Sequence, residues 1–302
     1  MKWIKKGIIY CPKGEYSWAK HSALQPTPIL LNNKIIRIYV GFRDEQGISR
    51  VGYVDVDANN PSNVLQVSKE PALEIGVNGT FDDNGVVPTA ITRRNGKYFL
   101  YYAGYQIPQK IKFLVFGGLA TSPDGEKFIR YKQIPIMDRT ESELYFRVPH
   151  SLIHENGIWK VWYGSGSEFM KDGENFLPMY DVKYTESDDG INFTEPGQVC
   201  IKLTGEEYRI GRPYVVKDKE AYKMFYGVAT KSEGYRIGYA ESKNGSEWER
   251  KDSEIGIDVS KTGWDSKMIA YPAIIKYGNK TYMFYNGNDM AKDGFGYAVL
   301  KE

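Results

Sequence analysis

The chain has 302 residues, with 40 lysines and arginines against 38 aspartates and glutamates and a formal net charge of +2. This near-balance gives no electrostatic reason to expect a nucleic acid or an anionic membrane as a partner, and we predict neither. The longest apolar run, Phe113–Ala120, is too short to span a bilayer, and the N-terminal apolar run is too short for a signal peptide, so we predict a cytoplasmic protein.

In chain order, the first predicted strand is an isolated segment, Lys2–Ile9, and five copies of one unit follow it. Each unit begins with a proline-bearing apolar strand, turns tightly at polar residues such as Asn95 and Gly96, and returns in a second strand. A third strand follows in every unit. The prolines that align the units are spaced by about 60 residues, and they are Pro26, Pro88, Pro149, Pro213 and Pro272.

In the middle three units, a turn of Ser, Asp or Asn, and Gly leads into a predicted fourth strand, at residues 126–131, 191–193 and 246–250. The last unit ends without one, whereas Lys2–Ile9 is similar in sequence to Lys127–Ile134. We therefore predict an all-β, five-bladed β-propeller with four antiparallel strands per blade, in which the N-terminal strand closes the last blade. The predicted single domain covers residues 1–302, with blades at about 18–70, 80–135, 140–200, 205–255 and 262–302 plus 2–10.

One tyrosine recurs near the end of the second strand of every unit. A side chain repeated at one structural position is typical of packing, so we predict that these residues pack between blades. They are Tyr39, Tyr102, Tyr163, Tyr226 and Tyr285.

Charged and polar side chains concentrate around the start of each proline-bearing strand. We expect this strand to be the innermost one, so these residues would lie at the mouth of a central funnel. Unpaired charge next to a buried strand is costly, and packing alone would not require it. The predicted catalytic residues are Asp83, Glu143 and Asp265, and the predicted substrate-binding residues are Trp18, His21, Gln25, Asp82, Arg147, His150, Glu207, Arg212, Trp264 and Lys267.

Structural roles remain open for several of these candidates. Asp265 could cap its turn, Glu207 could pair with Arg209 or Arg212, and His150 could be a hydrogen-bonded structural residue. Of Asp82 and Asp83, one is expected to face the funnel and the other to cap a turn. After the second strand of the first unit, Arg43 could reach the rim of the funnel.

Motifs of high chemical specificity are absent from the sequence. There is no phosphate-binding glycine loop, no zinc motif, and no nucleophile with an evident partner. The two cysteines, Cys11 and Cys200, lie far apart without metal-site spacing, and we predict free thiols. We therefore predict neither a cofactor nor a metal.

Three segments, "FDDNGVVP" from Phe81, "YRIGYAESKNGSEW" from Tyr235 and "WDSKMIAYP" from Trp264, resemble the arabinanase, levansucrase and invertase-like superfamily of five-bladed glycosidase propellers. The resemblance covers essentially the whole chain. It is nearest to a bacterial subgroup of glycosidase-like proteins associated with genes for surface-polysaccharide assembly. The resemblance implies three funnel carboxylates, from the first three blades, that serve as base or nucleophile, transition-state stabiliser and general acid.

The chain departs from that pattern at each of the three positions. Gln25 stands where the family commonly has an aspartate before the first proline, and Arg147 stands near the position of the third-blade glutamate. The second-blade Asp-Pro is also absent, although Asp83 lies close by.

Three functional hypotheses follow. The first, which the sequence favours, is a glycoside hydrolase or transglycosidase with Glu143 as acid and Asp83 as base or nucleophile, acting on a bacterial polysaccharide-related sugar. The second is a non-hydrolytic enzyme, a lyase or a transferase, for which funnel arginines would bind an acidic or activated sugar such as a sugar nucleotide. The third is a non-catalytic saccharide-binding propeller, in which tryptophans such as Trp18, Trp162 and Trp264 stack on sugar rings.

Overall fold

The computed structural model describes residues 1–193 and 195–301, so Glu302, the end of the predicted domain, lies outside the described residues. Across these residues the fold is almost entirely β, with one four-residue helix, α1 (Asn288–Ala291), and one 3-10 turn. The strands are β1 (Trp3–Tyr10), β2 (His21–Asn32), β3 (Ile35–Arg43), β4 (Ser49–Asp57), β5 (Val64–Val67), β6 (Val86–Arg94), β7 (Lys97–Gln106), β8 (Leu114–Ser122), β9 (Ile129–Arg130), β10 (Phe146–Glu155), β11 (Ile158–Asp172), β12 (Asn175–Ser187), β13 (Gln198–Ile201), β14 (Glu207–Lys217), β15 (Tyr222–Thr230), β16 (Arg236–Ser242), β17 (Glu249–Arg250), β18 (Ala270–Tyr277), β19 (Lys280–Asn286) and β20 (Phe295–Leu300).

Consecutive strands pair antiparallel in groups. The first sheet has the order β2-β3-β4-β5, and the strands β6–β9, β10–β13 and β14–β17 form three further antiparallel groups joined into one sheet by short parallel contacts. The last sheet has the order β1-β20-β19-β18, and β1 pairs antiparallel with β20 from Trp3 opposite Leu300 to Tyr10 opposite Phe295. The first strand of the chain therefore completes the sheet that its last three strands form.

The first strands of these groups surround a common axis. β2 contacts β6, β6 contacts β10, β10 contacts β14, β14 contacts β18, and β18 in turn contacts β2. The proline-bearing strands are thus the innermost ones. No helix in the described part of the chain is long and apolar enough to cross a membrane.

Serine–glycine turns connect the outer strands of three neighbouring groups. The Ser122, Ser187 and Ser242 hydroxyls each accept a hydrogen bond from the backbone N–H of the glycine three residues later, at 2.8–2.9 Å. These glycines have positive φ, which glycine adopts without a Cβ clash. The predicted strand at 191–193 instead belongs to such a turn, where Asp189 accepts backbone hydrogen bonds, and the fourth strand of that group is β13.

Aromatic side chains join each group to the next through these turns. Tyr39, Tyr101 and Trp162 donate hydrogen bonds of 2.6, 2.9 and 2.7 Å to the carbonyls of the turn glycines in the following group. Tyr282 of the last group bonds the carbonyl of Ala58 in the first, at 3.0 Å. Tyr39 thus has the contacts of Tyr101, so the predicted equivalence of Tyr39 with Tyr102 is wrong by one residue.

Candidate functional site

Three of the innermost strands have a strained residue directly before the aligning proline. Gln25, Arg212 and Tyr271 have φ angles of 53°, 53° and 57°. A residue before proline normally adopts an extended backbone, and a left-handed conformation of a non-glycine residue costs about 1–3 kcal/mol. The antiparallel register also shifts at these points in β2, β14 and β18. Strain of this kind clusters at functional sites, so the starts of the inner strands are where a site is expected.

Arg212 lies between the innermost strands and is only 2% exposed. Its guanidinium donates hydrogen bonds to the carbonyls of Thr89, at 2.7 Å, and Pro26, at 3.0 Å, and to the hydroxyl of Thr27, at 2.9 Å. These contacts connect β14 to β2 and β6 across the axis. Burial lowers the pKa of Arg212 to about 10, so the guanidinium remains charged at neutral pH.

His150 and Gln25 lie close to Arg212 on the axis. His150 is 3% exposed, and burial together with the nearby charge of Arg212 holds its pKa well below the usual range, so the imidazole is neutral at pH 7. The backbone N–H of Gln25 donates to Asn286 Oδ1 at 2.8 Å. The structure therefore brings together three of the predicted substrate-binding residues, Gln25, His150 and Arg212.

At the mouth of the inner ring, all five strand groups contribute to one cluster of aromatic and basic side chains. The ring centroids of Tyr235 and Tyr271 lie 5.9 Å apart. The hydroxyl of Tyr235 also shares a hydrogen bond with that of Tyr180, and the guanidinium carbon of Arg209 lies 5.3 Å from the centre of the Tyr235 ring. The hydroxyls of Tyr105 and Tyr271 are close enough to Arg43 for its charge to affect their pKa. We call this set the funnel cluster, and its members are Arg43, Tyr105, Tyr180, Arg209, Tyr235 and Tyr271.

The funnel cluster carries positive charge and hydroxyl groups. No carboxylate that the structure describes lies within 4.0 Å of Arg43 or Arg209, and the Nε of each has no hydrogen-bond partner. Burial raises the pKa of Tyr105 to about 12, so its hydroxyl keeps its proton at neutral pH. For Arg209, burial would lower the pKa, but the oxygens of Tyr235 and Tyr180 raise it above the usual range. Such a cluster can stack on a ring and donate hydrogen bonds to an anion.

A β-hairpin covers this cluster. Strands β11 and β12 continue past a register shift near Ser165 and pair again from Glu168 opposite Met179 towards the turn. Met170, Leu177 and Met179 of this extension pack against the apolar cluster that contains Tyr208, Tyr235 and Tyr271. The hairpin therefore lies across the mouth of the inner ring.

Glu143, a predicted catalytic residue, is buried among cations and hydroxyls. Its carboxylate lies 2.7 Å from Arg147 Nε and 3.0 Å from Lys183 Nζ, and it accepts hydrogen bonds from Tyr163 at 2.8 Å and Ser165 at 2.6 Å. Burial alone would raise the pKa of Glu143, but the hydrogen bond from Ser165 and the charge of Arg147 hold it below the usual range. The carboxylate is thus ionised and engaged on several sides.

The two adjacent acids of the second group separate as the sequence indicated, but neither belongs to the funnel cluster. Asp82 is fully buried and pairs with Arg130 at 2.8 Å, while Tyr102 donates to it at 3.0 Å. Asp83 caps a turn, where it accepts the backbone N–H of Gly79 at 2.8 Å.

The remaining predicted acids also have local partners. Asp265 is 2% exposed, lies 2.7 Å from Lys5 Nζ, and accepts a hydrogen bond from Tyr285 at 3.0 Å. Glu207 lies 2.8 Å from Arg250, as the ion-pair alternative supposed, although with a different arginine. The structure therefore holds the three predicted catalytic carboxylates in separate strand groups, and their catalytic roles stay predictions.

The repeated tyrosine explains why several of these carboxylates are held within their own strand groups. In four groups its hydroxyl donates to a carboxylate of the same group, at 2.5–3.0 Å, and the pairs are Tyr102–Asp82, Tyr163–Glu143, Tyr226–Asp252 and Tyr285–Asp265. In three of these groups the carboxylate lies just upstream of the inner strand, so it is part of the repeat itself.

The other predicted binding residues lie around the rim or in packed positions. Trp18 stacks on Tyr16 and donates its indole N–H to the carbonyl of Lys69, and Trp264 stacks on Tyr285 with ring centroids 5.0 Å apart. Lys267 is exposed. His21 pairs with Arg43 in the β2–β3 ladder, so it lies beside the funnel cluster.

One further acid stands out that the sequence reasoning did not single out. Asp181 lies on the same side of the β11–β12 pair as Glu143, in a cavity of about 180 Å³ that Ser165, Glu168 and Lys183 also line. Burial raises the pKa of Asp181 to about 6, against the opposing charge of Lys183. The described residues contain no group of three or more His, Cys, Asp or Glu side chains that could hold a metal ion.

Solved structures with similar folds cover nearly the whole chain. They include BT0996, from a complex with RGII (TM-score 0.75, 17% identity, 99% of this chain and 92% of that protein). Another similar structure comes from work on the GH130 family of mannoside phosphorylases, which contains glycoside hydrolases that target β-1,2 mannosidic linkages in Candida mannan. It has a TM-score of 0.74 at 13% identity, and the match covers 99% of this chain and 93% of that protein. A thermostable family-43 glycoside hydrolase has a TM-score of 0.68 at 16% identity, covering 94% and 90%. The protein thus has a glycoside hydrolase-like propeller fold.

Sequence relatives extend over the full length. "Uncharacterized protein Rv1502" of Mycobacterium tuberculosis (strain ATCC 25618 / H37Rv) and "Uncharacterized protein MT1551" of Mycobacterium tuberculosis (strain CDC 1551 / Oshkosh) are each 33% identical over 302 residues, which is 100% of this sequence and 100% of theirs. The protein belongs to the family of these two proteins. No protein-family model matches it.

Proposed function

We propose that the protein is a five-bladed, carbohydrate-active β-propeller whose funnel cluster binds an acidic saccharide. The blade number rests on the five antiparallel strand groups and on the ring of contacts among β2, β6, β10, β14 and β18. The proposal of a carbohydrate ligand rests on the glycoside hydrolase-like fold and on the position of the funnel cluster at the mouth of the inner ring. The ligand would be a sugar of a bacterial surface polysaccharide or its activated precursor.

The single observation that supports an acidic ligand is that Arg43 and Arg209 have no carboxylate partners. Other arginines of the described chain, such as Arg37 and Arg147, have a carboxylate at 2.7 Å, whereas the axial Arg212 has only carbonyl and hydroxyl partners. Arg43 and Arg209 have none among the described carboxylates, and their Nε–H groups lack a protein acceptor. A guanidinium binds carboxylate or phosphate oxygens through parallel hydrogen bonds, so a ligand anion would supply the missing partner.

Aromatic rings would complete such a site. Tyr235 and Tyr271 lie beside Arg209 and are 4% and 8% exposed beneath the hairpin, so their faces would become available to a sugar ring, and their oxygens to its hydroxyls, once the hairpin moved. The hairpin that carries Met170, Leu177 and Met179 would cover the bound ligand and exclude water. Binding would therefore require this hairpin to move outward.

A matched pair of sugars tests the proposal. By isothermal titration calorimetry, methyl glucuronide should bind at least about tenfold more tightly than methyl glucoside, since the two differ only in that a carboxylate replaces the hydroxymethyl group at C6. Arg209→Met should abolish this preference, whereas Arg93→Met removes an arginine outside the cluster and should preserve it. Glucose 6-phosphate, as a third ligand, separates a phosphate preference from a carboxylate preference. Equal affinities for all three sugars in the wild-type protein would refute the proposal.

A second candidate function, glycoside hydrolysis, is favoured by one observation. Asp181 and Glu143 are two carboxyl groups on one side of the β11–β12 pair whose pKa values are moved in opposite directions, as those of an acid and a base must be. Asp181→Asn should then abolish hydrolysis of alkyl glycosides, whose alkoxide leaving group needs the proton of the general acid, while glucuronide binding persists. Absence of hydrolysis by the wild-type protein across a panel of such glycosides would exclude this candidate for those sugars.

A further inference from the structure

A second pocket opens beside the N-terminal strand, outside the funnel cluster. It has a volume of about 660 Å³, within the range of about 300–1,000 Å³ that is usual for small-molecule sites. Its lining comes from the end of β1, from the segment that follows β1, and from the loops before β18 and β20. It includes Tyr10, Cys11, Glu15, Trp264 and Asp293, and we call it the outer pocket.

Trp264 forms a fixed aromatic wall of the outer pocket. Its indole stacks on Tyr285 with ring centroids 5.0 Å apart. Its six-membered ring lies against Gly287 and Gly296, where an added Cβ would come within 2.5 and 2.6 Å of the ring, so only glycine permits this close approach. Trp264 is nevertheless partly exposed, and its indole N–H has no hydrogen-bond partner among the described residues. An indole that is held in place and partly exposed combines an apolar surface with a donor, which suits a sugar ring.

The polar groups of the outer pocket match the hydroxyls of a neutral sugar. The Tyr10 hydroxyl has no partner in the described part of the chain, and burial followed by the charge of Glu15 raises its pKa to about 12, so it can donate a hydrogen bond at neutral pH. Burial together with the charges of Asp293 and Glu15 raises the pKa of the Cys11 thiol, so both carboxylates lie near this part of the pocket. Sugar hydroxyls can donate to such carboxylates. Two carboxylates against one lysine, Lys13, disfavour an acidic group here.

The outer pocket lies at the same end of the strands as the funnel cluster. In the last sheet, Tyr10 is opposite Phe295, Phe295 is opposite Asn286, and Asn286 is opposite Ala270. This row crosses from the outermost strand to the innermost one, where Tyr271 of the funnel cluster directly follows Ala270. Three steps between neighbouring strands amount to about 14 Å. A short oligosaccharide is long enough to span this distance, and a single sugar is not.

The strained turn that contains α1 contributes to both sites. Asp289, Met290 and Ala291 have φ angles of 53°, 52° and 71°, and a left-handed conformation of this kind costs about 1–3 kcal/mol per residue and is typical of functional sites. Met290 Sδ accepts a hydrogen bond from the Tyr271 hydroxyl at 3.9 Å, and Asp293 lines the outer pocket. The turn therefore extends from the funnel cluster to the outer pocket.

We propose that the outer pocket binds a neutral sugar of the same chain whose acidic sugar binds to the funnel cluster. This inference rests on the proposed function, and it narrows the ligand to an oligosaccharide that contains both acidic and neutral sugars. The neutral ring packs on Trp264, and Tyr10 and Asp293 bind its hydroxyls.

A ligand with one acidic and three neutral sugars tests the proposal. By isothermal titration calorimetry, glucuronosyl-xylotriose should bind at least about tenfold more tightly than methyl glucuronide, which reaches only the funnel cluster. Tyr10→Phe removes a hydroxyl from the outer pocket and should weaken glucuronosyl-xylotriose about fivefold, while methyl glucuronide stays within about twofold. Tyr131→Phe makes the same change at an exposed tyrosine outside the pocket and should alter neither affinity.

The two ligands separate the possible failures. If methyl glucuronide binds and glucuronosyl-xylotriose binds no more tightly, or if Tyr10→Phe leaves both affinities unchanged, the outer pocket is refuted while the funnel site stands. If methyl glucuronide does not bind, the proposed function itself is refuted.

Cys11 provides a direct readout of the outer pocket. Cys11 and Cys200 are both free, and only Cys11 lines this pocket. Bound glucuronosyl-xylotriose should slow the alkylation of Cys11 by iodoacetamide, measured by peptide mass spectrometry, and leave Cys200 unchanged, because the reagent needs access to the thiol. Methyl glucuronide should slow neither reaction. An unchanged rate at Cys11 with saturating glucuronosyl-xylotriose would overturn the proposal.

Discussion

Replacing Glu143 by glutamine tests whether this buried carboxylate stabilises the fold. The carboxylate is 1% exposed and lies 2.7 Å from Arg147 and 3.0 Å from Lys183. Removing one partner of a buried ion pair typically costs about 3–5 kcal/mol. Arg147 keeps Glu195 at 2.7 Å and the Lys183 side chain is 16% exposed, so both cations retain some compensation. We therefore expect a loss of about 3 kcal/mol in the free energy of unfolding, at the lower end of that range.

Urea denaturation at pH 7 measures this loss. Glu141→Gln is the matched control, because it makes the same change at an exposed site two residues away and should alter stability by less than about 0.5 kcal/mol. The lowered pKa of Glu143 adds a second signature. Its stabilisation is present above the unfolded-state pKa and disappears as the pH falls through the folded-state value, so wild type and Glu143→Gln should converge in acid. A variant as stable as wild type at pH 7 would refute the structural assignment.

Three further predictions follow from the same structure. Asp181 binds its proton more tightly in the folded state, where its pKa is raised from 3.8 to about 6, so stability should fall as the pH rises from about 4 to 6. In urea titrations, Asp181→Asn should be about 3 kcal/mol more stable than wild type at pH 7.5 but equal to it near pH 4, because one pKa unit corresponds to about 1.4 kcal/mol. Asp83→Asn changes a turn cap whose carboxylate lies outside the funnel cluster, so glucuronide affinity measured by calorimetry should stay within about twofold of wild type; a tenfold loss would place Asp83 in the site. Leu177→Ser weakens the packing of the covering hairpin, so stopped-flow association of a funnel ligand should accelerate, and an unchanged rate would show that the hairpin does not limit access.

Much of the strand pattern could be read from the sequence because turn chemistry and apolar periodicity are local. The proline-bearing strands, the Ser-Gly turns and an N-terminal strand without a sequence neighbour all follow from short-range patterns. The predicted strand at 191–193 was misplaced, since the fourth strand of that group begins at Gln198. The turn bonds of Asp189 do not explain this delay, because Asp124 and Asn244 make the same bonds in the neighbouring groups, whose fourth strands begin four residues after the glycine.

The candidate site was harder to predict because its members come from different parts of each repeat. Arg209 and Tyr271 do lie near the starts of inner strands, where charged and polar residues are concentrated in the sequence. Arg43 and Tyr105 come from the ends of second strands, and Tyr180 comes from a third strand, so no common sequence position marks them. Only the three-dimensional arrangement of the strand groups brings these side chains together.

The predicted acids form ion pairs with cations that are distant in sequence. Asp265 pairs with Lys5 of the N-terminal strand, and Asp82 pairs with Arg130, 48 residues away. A sequence shows that a carboxylate precedes an inner strand, but not which cation will fold against it. The repeated tyrosine could be recognised in the sequence, but its hydrogen bond to the carboxylate of its group could not.

The position of a bound acidic sugar tests the central claim most directly. A crystal structure of the protein soaked with methyl glucuronide should place the sugar carboxylate within about 3 Å of Arg209 or Arg43, with the ring against Tyr235 or Tyr271. A sugar that instead binds with its carboxylate away from both arginines, or in the cavity beside Asp181 and Lys183, would contradict the assignment of the funnel cluster as the saccharide site.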